Sequence, residues 1–349
     1  MSYNKGSKAL TAKVHAMYGR KLTRQNYREL VRKQSVNEVA AYLKQQTSYG
    51  PLLREVNENL IHRGQLENIL KRDLFNQYMK VFHYVSSGEM EFYKFLIMRM
   101  EIDEILFCIR LLNANREEEY LLSLPSFFAD HASFDLYGLA KVKNFDGLLK
   151  LLKQTQYYDI LKKYDPSAGE KIDIIRIEIE FNKLYYSRIF EIIDRTFSGK
   201  VAEQVKNSFG MMIDLSNITS IIRLKKYFDA KRDYIEKLLL PFYFKVKPKE
   251  LRAIMEANDA NAAWLAACQT YYGTAFKKYD FEYIEKYSHQ IMYHYHKQLL
   301  TFTDSAPVAV VSFLQLEDIE IKNIIHIIEG IRYGLAPSEI EKLLVGVED

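Results

Sequence analysis

Apolar residues recur at spacings of three and four along most of this chain, the period of an amphipathic helix. In residues 52–85, Leu53, Val56, Leu60, Leu66, Ile69, Leu70, Leu74 and Tyr78 make one stripe. That stripe predicts a single long helix across the whole stretch, with Gly64 as a tolerated weak point. Similar stripes run through 169–197 and 280–302. Breaks fall at Ser86-Ser87-Gly88, Asp165-Pro166-Ser167, Ser198-Gly199, Lys247-Pro248 and Ser305-Ala306-Pro307. Each sets a capping residue, Pro or Gly ahead of a new stripe. No series of alternating strands is present. The segment 241–246, PFYFKV, reads as extended but has no partner. The expected fold class is all-α.

Two markers repeat along the chain. Thr-x-Tyr occurs at Thr47-Ser48-Tyr49, Thr155-Gln156-Tyr157 and Thr270-Tyr271-Tyr272. YLKQQTSYGPLL (42–53) aligns without gaps on KLLKQTQYYDIL (150–161), and LAACQTYYGTAF (265–276) matches more weakly. The second marker is Glu101-x-x-Glu104-Ile105-x-x-x-Ile109-Arg110. It recurs as Asp214-x-x-Asn217-Ile218-x-x-x-Ile222-Arg223 and as Glu320-x-x-Asn323-Ile324-x-x-x-Ile328-Glu329. The first marker steps by 108 and 115 residues, the second by 113 and 106. Two signals with one period, three times in the same order, indicate three similar helical units of about 110 residues. The expected boundaries are 1–115, with basic N-terminal helices, then 116–229 and 230–349.

On an α-helix each residue turns by about 100°. Counting from the acid, positions four and eight then fall within a quarter turn of it on one side, and position three falls on the other side. Position nine falls opposite the acid. The two Ile therefore form a buried ridge with the acid and the Asn or Glu along its edge. The final Arg or Glu points away from its own acid and meets another element. Glu101, Glu104, Arg110, Asp214, Asn217, Arg223, Glu320 and Asn323 are thus candidates for repeat interfaces or for contact with a partner. The first copy departs from the others in carrying Glu104, and the third in carrying Glu329.

Catalytic signatures are missing. There is no G-x-x-x-x-G-K-S/T, G-x-G-x-x-G, G-x-S-x-G or H-E-x-x-H. No catalytic residue, cofactor, metal or directly bound nucleotide is expected. His289, His294 and His296 are the nearest metal-like group, but His289 and His296 lie two turns apart. Glu101, Asp103 and Glu104 bunch acids without a basic or His partner at matching spacing. Cys108 in ILFCI, Cys268 and Trp264 in NAAWLAA read as core, and two separated cysteines do not suggest a disulfide framework.

Composition agrees with a packed helical chain. Of 349 residues, 48% are hydrophobic, and only 14 are Gly and 7 Pro. No run of 18 apolar residues exists, so no membrane-spanning helix is expected. The net charge of +4 is unevenly placed: residues 1–33 hold nine Lys/Arg against Glu29 alone. Such a head is either a solvated helix face or a surface for an anionic partner.

The three helices EIDEILFCIRLL (101–112), DLSNITSIIRLKKYF (214–228) and LEDIEIKNIIHIIEGIRYGL (316–335) carry a resemblance. With the LKQQTSYG-type segments and the basic N-terminal helices, the chain resembles the C-subunit family of bacterial and archaeal V-type (A-type) ATPases. That family corresponds to the d subunit of the eukaryotic V-ATPase. The resemblance spans the whole chain. It implies a funnel of three helical units in pseudo-threefold arrangement, peripheral on the cytoplasmic face of the membrane. It implies a non-catalytic rotor adaptor between the central stalk, subunits D and F, and the membrane rotor ring of c/K subunits. Torque for H⁺ or Na⁺ transport would pass through it, with no nucleic acid involved. The alternatives are a helical scaffold and a binder of anionic partners through the basic N-terminus. Solenoid repeats of roughly 34 to 47 residues do not match the period here.

Overall fold

The computed structural model describes residues 2–347 apart from 83, 167–169 and 280. Ser167 of the second break therefore lies outside the described residues. Among those described, every regular element is helical and no strand is formed. The chain divides into two compact units. One comprises Met1–Ser86, Gly199–Ile235 and Phe242–Asp349; the other comprises Ser87–Ser198 with Glu236–Pro241.

In the first unit the chain begins with α1 (Ser2–Tyr18), α2 (Arg24–Leu30), α3 (Val36–Gln46) and α4 (Arg63–Phe82). The helix expected across 52–85 is thus shorter than its stripe. Residues 51–60 form turns instead. The Asn57 side chain accepts from the backbone N–H of Asn59 at 3.1 Å, a local bond that competes with helix. The helix then starts where His62 and Gln65 cap each other, side chain to backbone N–H, in both directions. Gly64 falls in the first turn, and Leu60, 76% exposed, leaves the core.

The second unit holds α5 (Phe95–Ala114), α6 (Tyr120–Ser123), α7 (Leu136–Leu139), α8 (Phe145–Leu151), α9 (Tyr158–Lys162) and α10 (Ile174–Thr196). The stripe at 169–197 becomes α10, capped by the Asp173 side chain. Helix α10 packs on α5. Phe92, Tyr157 and Phe181 are fully buried between these elements, with edge-to-face ring contacts such as Tyr157 on Phe181 at 5.5 Å.

The chain continues through α11 (Gly199–Phe228), α12 (Arg232–Leu238), α13 (Pro248–Glu256), α14 (Ala260–Ala267), α15 (Gly273–Phe276), α16 (Ile284–Phe302), α17 (Ala306–Arg332) and α18 (Pro337–Glu341). Helix α17 is the axis of the first unit: α1, α3, α4, α11, α16 and α18 all pack against it. It is buried on almost every side, as a helix apolar around most of its circumference must be. Leu30, Leu43, Leu66 and Leu70 from the N-terminal helices fill one core with Ile324, Ile327 and Ile328. Cys108, Cys268 and Trp264 are all buried, and burial pushes the Cys108 thiol up to about 12.

The segment 241–246, expected to be extended, bends at 241 and 244–246 and forms no strand. It runs beside α11, and its backbone N–H groups at 244–246 point at Asp214. Gly210 permits this approach, because a Cβ there would lie 2.3 Å from the Phe244 ring. Ala would raise helix propensity by about 1 kcal/mol, yet here it must displace the ring and loosen the donors beside it. Gly210→Ala is expected to destabilise the protein by about 1–3 kcal/mol in urea unfolding.

Candidate functional site

The three Thr-x-Tyr sequences form the same local structure. Each Thr follows a short helix and turns its hydroxyl back to a carbonyl: Thr47 to Leu43, Thr155 to Leu152, Thr270 to Ala267. At the first two, the Tyr backbone N–H then donates to the same Thr oxygen. This Ser/Thr turn satisfies the end of one helix and swings the Tyr inward. Tyr49, Tyr157 and Tyr272 are all buried. The residue after Tyr272 lies against the preceding helix end. A Cβ on Gly273 would sit 2.1 Å from the Cys268 carbonyl oxygen, so only Gly fits.

Each buried Tyr hydroxyl donates to the acid of a second marker. Tyr157 donates to Glu101 at 2.5 Å, Tyr272 to Asp214 at 3.1 Å, and Tyr49 to Glu320 at 2.9 Å. Backbone N–H groups ahead of the next short helix complete each clasp. Glu101 accepts from Ser133, Asp214 from Phe244, Lys245 and Val246, and Glu320 from Leu22. The pairing is not the one suggested by reading order. A Tyr bonds the acid upstream of it, 56 and 58 residues away. The first Tyr is left for the last acid, 271 residues away. The Glu101 clasp belongs to the second compact unit, the other two to the first.

The remaining candidates divide between interior and surface. Asn323 is buried and makes reciprocal bonds with the Val345 backbone, Nδ2 donating at 2.8 Å and Oδ1 accepting at 2.9 Å. Asn217 is likewise buried, and Glu104 accepts from the Tyr120 hydroxyl at 2.7 Å. Arg110 is exposed, over the Phe107 ring. Arg223 is exposed and pairs with Glu285 at 2.8 Å. Glu329 bonds Arg63 at 2.7 Å.

Electrostatics set the third clasp apart. Glu317 lies one turn before Glu320, and Lys21 reaches both, at 3.4 and 3.7 Å. Its ammonium also donates to the Leu316 carbonyl. Two buried carboxylates thus share one ammonium. Burial raises the Glu317 pKa to about 7, against the pull of Lys21, with Glu320 and Asp73 pushing the same way as burial. Asp214 is also raised, since burial outweighs its four donors. Every tyrosine in the clasps is held well above its ordinary value by burial first and the neighbouring carboxylate second.

The clasps therefore join hydrogen-bonded carboxylates to hydroxyls that stay protonated. That chemistry positions helices; it does not shuttle protons. The three histidines diverge: His296 is buried against Ser312, His294 is exposed beside Gln290, and burial lowers His289 to about 4. Among the described residues no group of three His, Cys, Asp or Glu is placed to hold a metal ion, and no helix is long and apolar enough to cross a membrane.

A family profile for the ATP synthase (C/AC39) subunit matches residues 10–343. The chain belongs to that family. It is similar to the A-type ATP synthase C subunit of Methanosarcina acetivorans, 23% identical over 346 residues, spanning 95% of this chain and 91% of the relative. The corresponding protein of Archaeoglobus fulgidus is 25% identical over 360 residues, covering 98% of each chain. That of Pyrococcus abyssi is 21% identical, over 95% of this chain and 88% of the relative. The clasp residues of this family member lie within the matched region.

Two measurements probe the clasps. Tyr157→Phe and Tyr272→Phe should each cost about 1.5–3 kcal/mol in urea unfolding, as expected for a bond to a charged group. Gln154→Ala, an exposed change in the same turn, should stay within about 0.5 kcal/mol. The raised pKa of Glu317 fixes the sign of a pH effect. The native state holds the extra proton between about 4.5 and about 7. Stability from this group is therefore full below 4.5 and lost as pH rises through 7, by up to about 3 kcal/mol. Unfolding midpoints across this window should fall less steeply in Glu317→Gln than in the parent.

Proposed function

We propose that this chain is a non-catalytic adaptor of the central rotor in an A/V-type ATPase. It joins the central stalk, subunits D and F, to the membrane rotor ring on the cytoplasmic face. Torque passes through it, so that ATP turnover and H⁺ or Na⁺ movement stay coupled. The family match over residues 10–343 carries this reading. The interior supports it: the carboxylates at the repeated positions are occupied in tying helices together, as a force-bearing link requires.

We also propose that the structural repeat starts at the acid-bearing helix and runs through the following Thr-x-Tyr. The N-terminal segment through Tyr49 then supplies the missing half of the last copy. This shifts the units relative to the boundaries at 115/116 and 229/230. The buried acids and Asn residues serve the fold, while Arg110 and Arg223 are the repeated positions left to meet a partner.

Reconstitution tests the adaptor role. Complexes assembled without the chain should hydrolyse ATP in the soluble sector but drive no ion transport into vesicles; full coupling without it would refute the role. Arg110→Glu and Arg223→Glu should change unfolding free energy by less than about 1 kcal/mol, given their exposure, while lowering stalk or ring binding in a pull-down.

A further inference from the structure

The basic N-terminus has a structural destination. Arg24 and Arg28 lie four residues apart on α2, hence on one face. Buried Tyr27 and Leu30 fix the rotation of that helix, and the Thr23–Asn26 capping box fixes its start. The two guanidinium groups line a cleft of about 290 Å³ together with Lys286 of α16, and with Ser338 and Lys342 around α18. Among the described residues of the lining, Glu341 is the one acid against four cations.

Elsewhere in this unit some exposed arginines are paired, such as Arg63 with Glu329, Arg223 with Glu285 and Arg332 with Glu329. Arg24, Arg28 and Lys342 make no ion pair among the described residues. Like charges gathered in a concavity raise the local potential and concentrate counter-anions. Guanidinium forks match phosphate oxygens bidentately, and the lysines add point charges. The volume sits at the lower end for small-molecule sites, roughly 300–1,000 Å³, so the occupant is compact.

We propose that this cleft binds a small anion carrying two or more phosphate groups, with Arg24, Arg28, Lys286 and Lys342 as its cationic ligands and Ser338 as a hydroxyl donor. The same chemistry is offered by a soluble diphosphate and by a bis-phosphate lipid headgroup. The site is independent of the adaptor role, and its loss leaves that role standing.

Titration calorimetry of the full-length chain with inorganic pyrophosphate tests the soluble source. Co-sedimentation with phosphatidylcholine vesicles, with and without cardiolipin, tests the lipid source. Saturable one-site binding of pyrophosphate, weakened at least about tenfold by Arg28→Glu or Lys342→Glu, supports the site with a soluble ligand. Cardiolipin-dependent sedimentation lost in the same variants, without pyrophosphate binding, supports it with a headgroup. Arg252→Glu, an exposed change outside the cleft, should alter either signal by less than about twofold. Arg24→Gln with Lys342→Gln gives the same reading should a charge reversal unfold the protein. Failure of both probes to bind saturably, or an equal loss in Arg252→Glu, overturns the proposal.

Discussion

A carboxylate taken out of water costs several kcal/mol unless donors replace its hydration. Glu101, Asp214 and Glu320 are all buried, and much of the surrounding architecture serves to supply those donors. A Tyr hydroxyl arrives from one short helix end, and backbone N–H groups arrive from the start of another. Two segments are thus pinned to each long helix by one side chain. Apolar packing alone tolerates sliding, because methyl groups are interchangeable partners. A carboxylate with fixed donors admits one register. The clasps therefore specify where the short helices sit, while the Ile and Leu ridges beside them provide most of the stabilisation.

The helical class, the buried Ile ridge and three helix starts were legible from spacing and breaker residues: Ser198-Gly199 at α11, Lys247-Pro248 at α13 and Ser305-Ala306-Pro307 at α17. The acid and Asn on the ridge edge were legible as positions but not as partners. A hydrogen bond between Tyr272 and Asp214 leaves no periodic trace, and a Tyr among 26 gives no sign of where its hydroxyl goes. Reading order favours pairing each Thr-x-Tyr with the next acid, whereas the fold pairs Tyr157 and Tyr272 with the acid before and Tyr49 with the last acid of the chain's repeated motif. The false extension of α4 has a simpler origin. Leu53, Val56 and Leu60 keep helical spacing, but Asn57 bonds its own backbone and stops the helix short.

The two kinds of polar position in the repeated motif answer to different pressures. Interior members are constrained by hydrogen-bond completeness: Asn323 uses both ends of its amide on one backbone residue, Val345. Surface members carry no such constraint, and here the copies diverge. Arg110 lies over a ring, Arg223 meets Glu285, and the third copy carries Glu329, which meets Arg63. Identity across all three copies is complete only at the fully buried ridge, Ile105 and Ile109, Ile218 and Ile222, Ile324 and Ile328.

The third clasp must also overcome a larger closure cost. Its partners are 271 residues apart, against 56 and 58 for the others. Loop-closure entropy grows as the logarithm of length, so this difference adds about 1.4 kcal/mol. The structure offsets it locally. Lys21 brings a charge to Glu317 and Glu320, and Leu43, Tyr49 and Leu53 join the apolar core around Ile324, Ile327 and Ile328. The same additions introduce a second buried carboxylate, which makes this clasp respond to protons near neutral pH. A join between distant parts of a chain needs more contacts than a local one, and here the extra contacts brought their own titration with them.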